Sequence, residues 1–181
     1  MIRVVSAVRD ELGGLDGVPL GVGVVPAGIA TAALLARERP DGVIFVGTAG
    51  AYGDIPIGTV VTARTVGLVS GTATLGLGYV PLAPPPLTTQ LHADAPLVDV
   101  ATLVAITTDV ALAARIGVTW QIEHMEAYGV AAACAAAGVP FGAVFGVTNR
   151  VGPDAHAEWR ANRVACQAAA VAAVARMLAE R

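Results

Sequence analysis

The sequence predicts an α/β domain in which helices cover both faces of a largely parallel sheet. Short β-branched runs alternate along the chain with Ala-rich stretches of helical length, the pattern of α/β proteins. The run from Gly42 to Val46 is apolar without alternation, as expected of a strand buried on both faces. Hydrophobic residues make up 55% of the 181 residues and charged residues only 14%, which excludes a disordered chain and supplies a sizeable core.

Ile2 to Val8 reads as a first strand and Leu20 to Val25 as a second. Pro26 to Arg39 reads as a helix, with Pro26 suited to a first turn and Pro40 preventing continuation. The strand Gly42 to Val46 runs into Gly47-Thr48-Ala49-Gly50, expected to be a small-residue turn that lets a ligand approach the backbone. Thr59 to Val69 is a further strand. Ser70 to Pro96 is rich in Gly and Pro, stiff at Pro84-Pro85-Pro86, and shows neither period; it reads as a long loop with a functional or oligomer-contact role.

Leu103 to Thr107 and Val118 to Ile122 read as short strands, and Met125 to Ala137 as a helix. Pro140 to Val147 is a buried strand that halts at Thr148-Asn149-Arg150. A last helix starts near Asp154, a suitable cap after Pro153, and runs to Leu178. No repeat or linker interrupts the chain, so residues 1–181 read as a single domain.

A net charge of −3 offers no basic footprint, and nucleic acid is not an expected partner. The charge-free stretch from Gly129 to Val147 approaches bilayer length, but it is mostly Ala and Gly and breaks at Gly138-Val139-Pro140. It reads as a buried helix followed by a buried strand, and no membrane partner is expected. Arg3 comes too early for a signal peptide, and Cys134 and Cys166 both lie in Ala-rich helical sequence. A reduced cytoplasmic protein is the expectation. So apolar a surface on a small domain also implies a homo-oligomer.

Gly21-Val22-Gly23 opens a helix after an apolar run, yet Pro26 stands where a dinucleotide fingerprint would close. His92, His124 and His156 lie far apart without metal-ligand spacing and read as surface or loop histidines. No metal and no cofactor are expected. Cys134 reads as helical core packing. The informative polar residues stand at the ends of strands, where ligands bind in open parallel sheets. These are Glu11, Thr48, Asp109, the cluster of Glu123, Met125 and Glu126, and Asn149-Arg150. In a chain with so few charges their convergence points to a small-molecule site.

These residues carry a family resemblance. The segment from Pro40 through Gly50, followed by Ile57-Gly58-Thr59-Val60-Val61, resembles the glycine turn of nucleoside phosphorylases and methylthioadenosine/adenosylhomocysteine nucleosidases. Glu123-His124-Met125-Glu126-Ala127 is similar to that family's Glu-Met-Glu-Ala helix start, with one position inserted or shifted. Pro140-Phe141 through Thr148-Asn149 resembles its next strand and base-binding turn, and Ser6-Ala7 through Glu11 its start. The resemblance covers most of the chain apart from roughly residues 67–100. It implies a three-layer domain with a mixed, largely parallel central sheet, a nucleoside as small-molecule partner, and a homodimer or higher homo-oligomer.

Cleaving an N-glycosidic bond requires a gripped diol, a stabilised leaving base and a nucleophile held beneath the anomeric carbon. The resemblance places the general base on Glu11 and the ribose grip on Glu126, Met125 and Glu123. Thr48, Ala49 and Gly50 would form the floor near the nucleophile, and Asn149, Asp109 and Val110 would meet the base. Adenine-directed members carry Asp where this chain has Asn149, and an amide cannot protonate the purine N7. It can donate to an O6 and accept from N7–H, which suits a 6-oxopurine. Asn149 with Trp159, and Ala49-Gly50-Ala51-Tyr52, resemble the futalosine hydrolase branch, which releases hypoxanthine from futalosine in menaquinone synthesis.

Where hexameric phosphorylases carry Arg before the glycine turn, this chain has Phe45, which favours water over phosphate; Arg9 and Arg64 remain as possible anion ligands. The stretch from Tyr79 to Pro86 is expected to shape the pocket for the 5′ group. The competing readings are an adenine-type nucleosidase, a purine nucleoside phosphorylase, and a non-catalytic nucleoside-binding homologue, the last motivated by Ala111 where adenine-type relatives stack an aromatic.

Overall fold

The computed structural model describes residues 1–180. Eight strands and five helices follow one another from β1 (Ile2–Ser6) to α5 (Ala155–Ala179). A short 3-10 turn, Arg9–Leu12, leads to β2 (Gly17–Pro19) and α1 (Val24–Arg37). Two long strands follow, β3 (Gly42–Ala51) and β4 (Val60–Leu68). The Gly- and Pro-rich stretch holds only a single helical turn, α2 (Gly71–Thr74), and the two-residue β5 (Leu87–Thr88). Next come β6 (Leu97–Thr102), α3 (Val110–Ile116), β7 (Ile122–His124), α4 (Ala127–Ala137) and β8 (Phe141–Arg150).

The sheet is mixed. β3 is parallel to β1 and β8, and β6 is parallel to β4 and β7. The two groups meet antiparallel, β3 against β7 and β4 against β8. Following the ladders from β3 through β7, β6, β4 and β8 returns to β3.

Period-two alternation divides the core. Val43 and Phe45 point to a cluster that includes Leu34 of α1 and Val130 and Cys134 of α4. Ile44 and Val46 point the opposite way, to Val174 and Met177 of α5. The helices α1 and α4 approach closely because both carry glycine at the crossing. A Cβ on Gly129 would fall 2.1 Å from the carbonyl oxygen of Val24. The charge-free stretch at 129–147 is indeed a helix followed by a buried strand, and among the described residues no helix is long and apolar enough to cross a membrane.

Several expected elements are displaced. Leu20 to Val25 is not a strand: Gly21 and Gly23 adopt φ of +95° and +98°, which breaks an extended chain, and α1 begins at Val24 with Pro26 in its first turn. It ends at Arg37, short of Arg39. Gly47 to Gly50 is not a turn but continues β3, because β8 runs beside it to Arg150. Leu103 to Thr107 is loop; the strand precedes it as β6, and Val104 and Ile106 are exposed with no ladder partner. The strand expected at Val118 to Ile122 starts only at Ile122. Asp154 precedes α5, but its side chain makes no capping hydrogen bond.

Candidate active site

The carboxyl ends of β1, β3, β7 and β8, with the loop after β6, surround a cavity of about 420 Å³. Glu11 enters it from the 3-10 turn after β1. Its Oε2 accepts from the backbone N–H of Ala7 at 3.2 Å and of Val8 at 3.4 Å, folding the carboxylate back over the end of the strand. Burial raises its pKa to about 7, the charge of Glu126 adds to the rise, and the two backbone donors oppose it. A carboxylate poised there exchanges protons near neutrality.

Glu126 stands at the start of α4, 3% exposed. Its Oε1 accepts the backbone N–H of Gly23 at 2.7 Å, and its Oε2 lies 3.2 Å from Nε2 of His124. A Cβ on Gly47 would sit 3.4 Å from that Nε2 and 3.7 Å from Oε1 of Glu11, so the bare glycine lets both side chains crowd one point of the floor. Met125 lines the cavity beside them. Glu123 lines it too, but its oxygens are engaged: Tyr52 donates its hydroxyl at 2.6 Å and Thr107 its backbone N–H at 3.1 Å. Burial raises the Glu123 pKa, and the same burial with the charge of Glu123 raises that of Tyr52. Glu123 therefore ties the loop after β6 to β3.

Asn149 owes its place to a bulge. Between Ala49 and Gly50 the β3–β8 register shifts, leaving Thr148 as the extra residue. Thr148 Oγ1 donates to Asn149 Oδ1 at 2.8 Å, and Asn149 Nδ2 donates to the carbonyl of Arg150 at 3.1 Å. Gly50 makes the room, since a Cβ there would stand 2.8 Å from Asn149 Nδ2. Each amide atom keeps capacity for a ligand. Thr48, Ala49 and Gly50 line the cavity, and Trp159 Nε1 donates to Thr48 Oγ1 at 3.3 Å.

The helix α5 supplies a wall the sequence reading took only at Trp159. His156, Trp159, Arg163 and Gln167 recur at helical spacing and all line the cavity. His156 stacks on Trp159 with centroids 5.6 Å apart, and the Arg163 guanidinium lies 5.3 Å from the Trp159 centroid. Asn162 fastens the helix to β8 through the carbonyl of Thr148 at 3.1 Å.

Asp109 and Val110 do not line the cavity: Asp109 caps α3 by accepting the Leu112 N–H at 2.7 Å. Leu103, Ala105 and Ile106 line it instead, and Ala111 lies outside on α3. Tyr79 to Pro86 lies outside the lining, with Tyr79 85% exposed. Arg9 is also outside, and Arg64 is held by Asp99 in a bidentate pair at 2.9 and 2.5 Å. Besides the α5 residues, sequence reasoning missed His124, read as a surface or loop histidine but only 7% exposed, between Phe45 and Phe145. Its signal was the extra position between two glutamates of the motif.

The strand ends of this α/β sheet gather three glutamates and an amide around one cavity, and the sequence places the chain in a family. A family model described as phosphorylase superfamily matches residues 14–124, and the chain belongs to that superfamily. No curated protein matches the chain. Among solved structures, an aspartate-to-asparagine mutant of the Helicobacter pylori methylthioadenosine nucleosidase, with 5′-methylthioadenosine in its active site, is 17% identical at a TM-score of 0.86, covering 99% of this chain and 98% of that one. The Neisseria meningitidis 5′-methylthioadenosine/S-adenosylhomocysteine nucleosidase, in complex with methylthio-immucillin-A, is 20% identical at 0.85, with 99% of each chain covered. Futalosine hydrolase of Helicobacter pylori is 16% identical at 0.84, covering 99% of this chain and 97% of that one. At these identities the likeness is one of fold.

Proposed function

We propose that the protein hydrolyses the N-glycosidic bond of a purine nucleoside, with futalosine as the preferred substrate and hypoxanthine as the released base. The observation that carries this reading is the meeting of Glu11, Glu126 and the Asn149 amide around one cavity. Glu126, its Oε1 held by the Gly23 N–H and its Oε2 3.2 Å from His124 Nε2, accepts from the 2′ and 3′ hydroxyls and favours a cationic sugar in the transition state. Glu11 takes a proton from water as the water adds to the anomeric carbon. The C–N bond breaks with its electron pair passing to the base, which takes up a proton from solvent at N7. Asn149 meets the base edge, donating to a purine O6 and accepting from N7–H, while Leu103, Ala105 and Ile106 offer an apolar wall.

Water is favoured over phosphate because Phe45 stands where hexameric phosphorylases carry Arg, and it is fully buried outside the cavity lining, edge-on to His124 at 4.9 Å. Among the described residues Arg163 is the one arginine in the lining, and it faces Trp159. The fold shared with nucleosidases that hold nucleoside analogues supports the same chemistry. The test is base release from futalosine, inosine and methylthioadenosine, each with and without phosphate, followed by chromatography. Hypoxanthine from futalosine without phosphate is the expected result. Adenine release would favour the methylthioadenosine reading, and release only with phosphate a phosphorylase. Silence on all three would favour a binding-only homologue.

A further inference from the structure

We infer that His124 is the positioning residue that sets the Glu126 carboxylate for the ribose diol, a role that rests on the nucleoside reading above. The ring's tautomer follows from its neighbours. The backbone N–H groups of Glu126 and Ala127 both donate to Nδ1, each at 3.2 Å. A ring nitrogen that accepts carries no hydrogen, so the proton of the neutral imidazole lies on Nε2. That Nε2 lies 3.2 Å from Oε2 of Glu126, a close polar contact. The ring plane is fixed by Phe45 from β3, with centroids 4.9 Å apart and planes at 74°, and by Phe145 from β8 at 4.6 Å. Burial lowers the His124 pKa and keeps the ring neutral, although the charge of Glu126 pulls the other way.

The consequence falls on Glu126. Its terminal torsion is intrinsically broad, so a carboxylate with one donor still swings. The Gly23 N–H holds Oε1 and the His124 ring abuts Oε2 at 3.2 Å, which limits that swing and leaves both oxygens able to accept from a hydroxyl. Two oxygens so confined match two vicinal hydroxyls. The same ring also caps α4, because Glu126 at the N-cap offers no side-chain cap of its own.

The two duties sit on different nitrogens and can be separated. Asparagine brings its amide to the place of Nδ1 and keeps the cap; glutamine brings its amide to the place of Nε2 and keeps the brace. The experiment measures kcat and KM for the parent, His124→Asn and His124→Gln on a purine ribonucleoside and on its 2′-deoxy counterpart, with melting temperatures alongside. On the ribonucleoside, His124→Asn is expected to melt near the parent yet lose about 10²-fold in kcat, the cost of a misplaced group. On the deoxy substrate its loss shrinks to about tenfold or less, because the hydroxyl and its brace act as one unit. His124→Gln is expected to recover most of the lost kcat while melting lower.

Equal losses for both variants that track melting temperature, or an Asn loss identical on both substrates, would overturn the role. If His124→Asn does not fold, the ribo-to-deoxy ratio of His124→Gln decides: a ratio like the parent's supports the brace, a collapsed ratio overturns it. A parent that releases no base overturns the nucleoside reading and the role with it. An active parent indifferent to both substitutions overturns the positioning role alone.

Discussion

The backbone N–H of Gly23 donates to Oε1 of Glu126 at 2.7 Å, joining residues 103 positions apart at the floor of the cavity. Gly23 is the N-cap of α1 and Glu126 the N-cap of α4, so the bond holds only while the two helices keep their distance.

That distance is set by Gly129, where a Cβ would stand 2.1 Å from the Val24 carbonyl oxygen. Gly129→Ala must push α1 away and draw the Gly23 N–H off the carboxylate. We expect a stability loss of about 1–3 kcal/mol from overpacking, with a raised KM for nucleoside. Chemical denaturation and steady-state kinetics check the two effects separately.

Glu11 gives a pH dependence of opposite sign for stability and for activity. Its folded pKa of about 7 lies above the usual 4.5. Between those values the unfolded chain is ionised and the folded one still holds the proton. Stability therefore falls as pH rises through that window, by about 1–3 kcal/mol once above it. Glu11→Gln is expected to be the more stable protein at pH 8 and no different below pH 4.5. Activity needs the ionised base, so kcat/KM rises through about pH 7 in the parent and drops by about 10²–10⁴-fold in the variant. Melting curves and rate profiles over the same pH series measure both.

Base preference is expected to turn on Asn149. In Asn149→Asp the new carboxyl keeps the Thr148 hydroxyl as donor and faces the Arg150 carbonyl, where a proton on it is favoured. That proton is what an adenine leaving group requires. The ratio of kcat/KM for adenine over hypoxanthine nucleosides should rise at least about tenfold, a change of the size a single buried polar mismatch produces. Competition between the two substrates in one vessel reads the ratio directly.

Local signals revealed the parts of the fold that depend on local chemistry. The β-branched runs of β1 and β3 and the long Ala-rich α5 follow from period and composition, and Glu11, Glu126 and Asn149 stood out as polar groups at strand ends. The run from Leu97 to Ile106 is apolar apart from Asp99 and Thr102, so nothing local marks where pairing stops; the ladders with β4 and β7 end it at Thr102. The antiparallel meeting of β4 with β8 joins strands some 80 positions apart, as the Thr62 hydroxyl bonded to the Ala143 carbonyl illustrates, and no short-range pattern encodes it. His124 was hidden for the same reason: its role comes from Phe45 and Phe145, which reach it from distant strands.

In the proposed reaction Glu126 grips a ribose whose glycosidic bond water then breaks. The most direct measurement is hypoxanthine release from futalosine in phosphate-free buffer by the parent and by Glu126→Gln. We expect steady turnover by the parent and a loss of about 10²–10³-fold in kcat for the variant, the scale of a lost transition-state charge contact. Turnover unchanged by the substitution, or a parent that releases base only when phosphate is added, would contradict it.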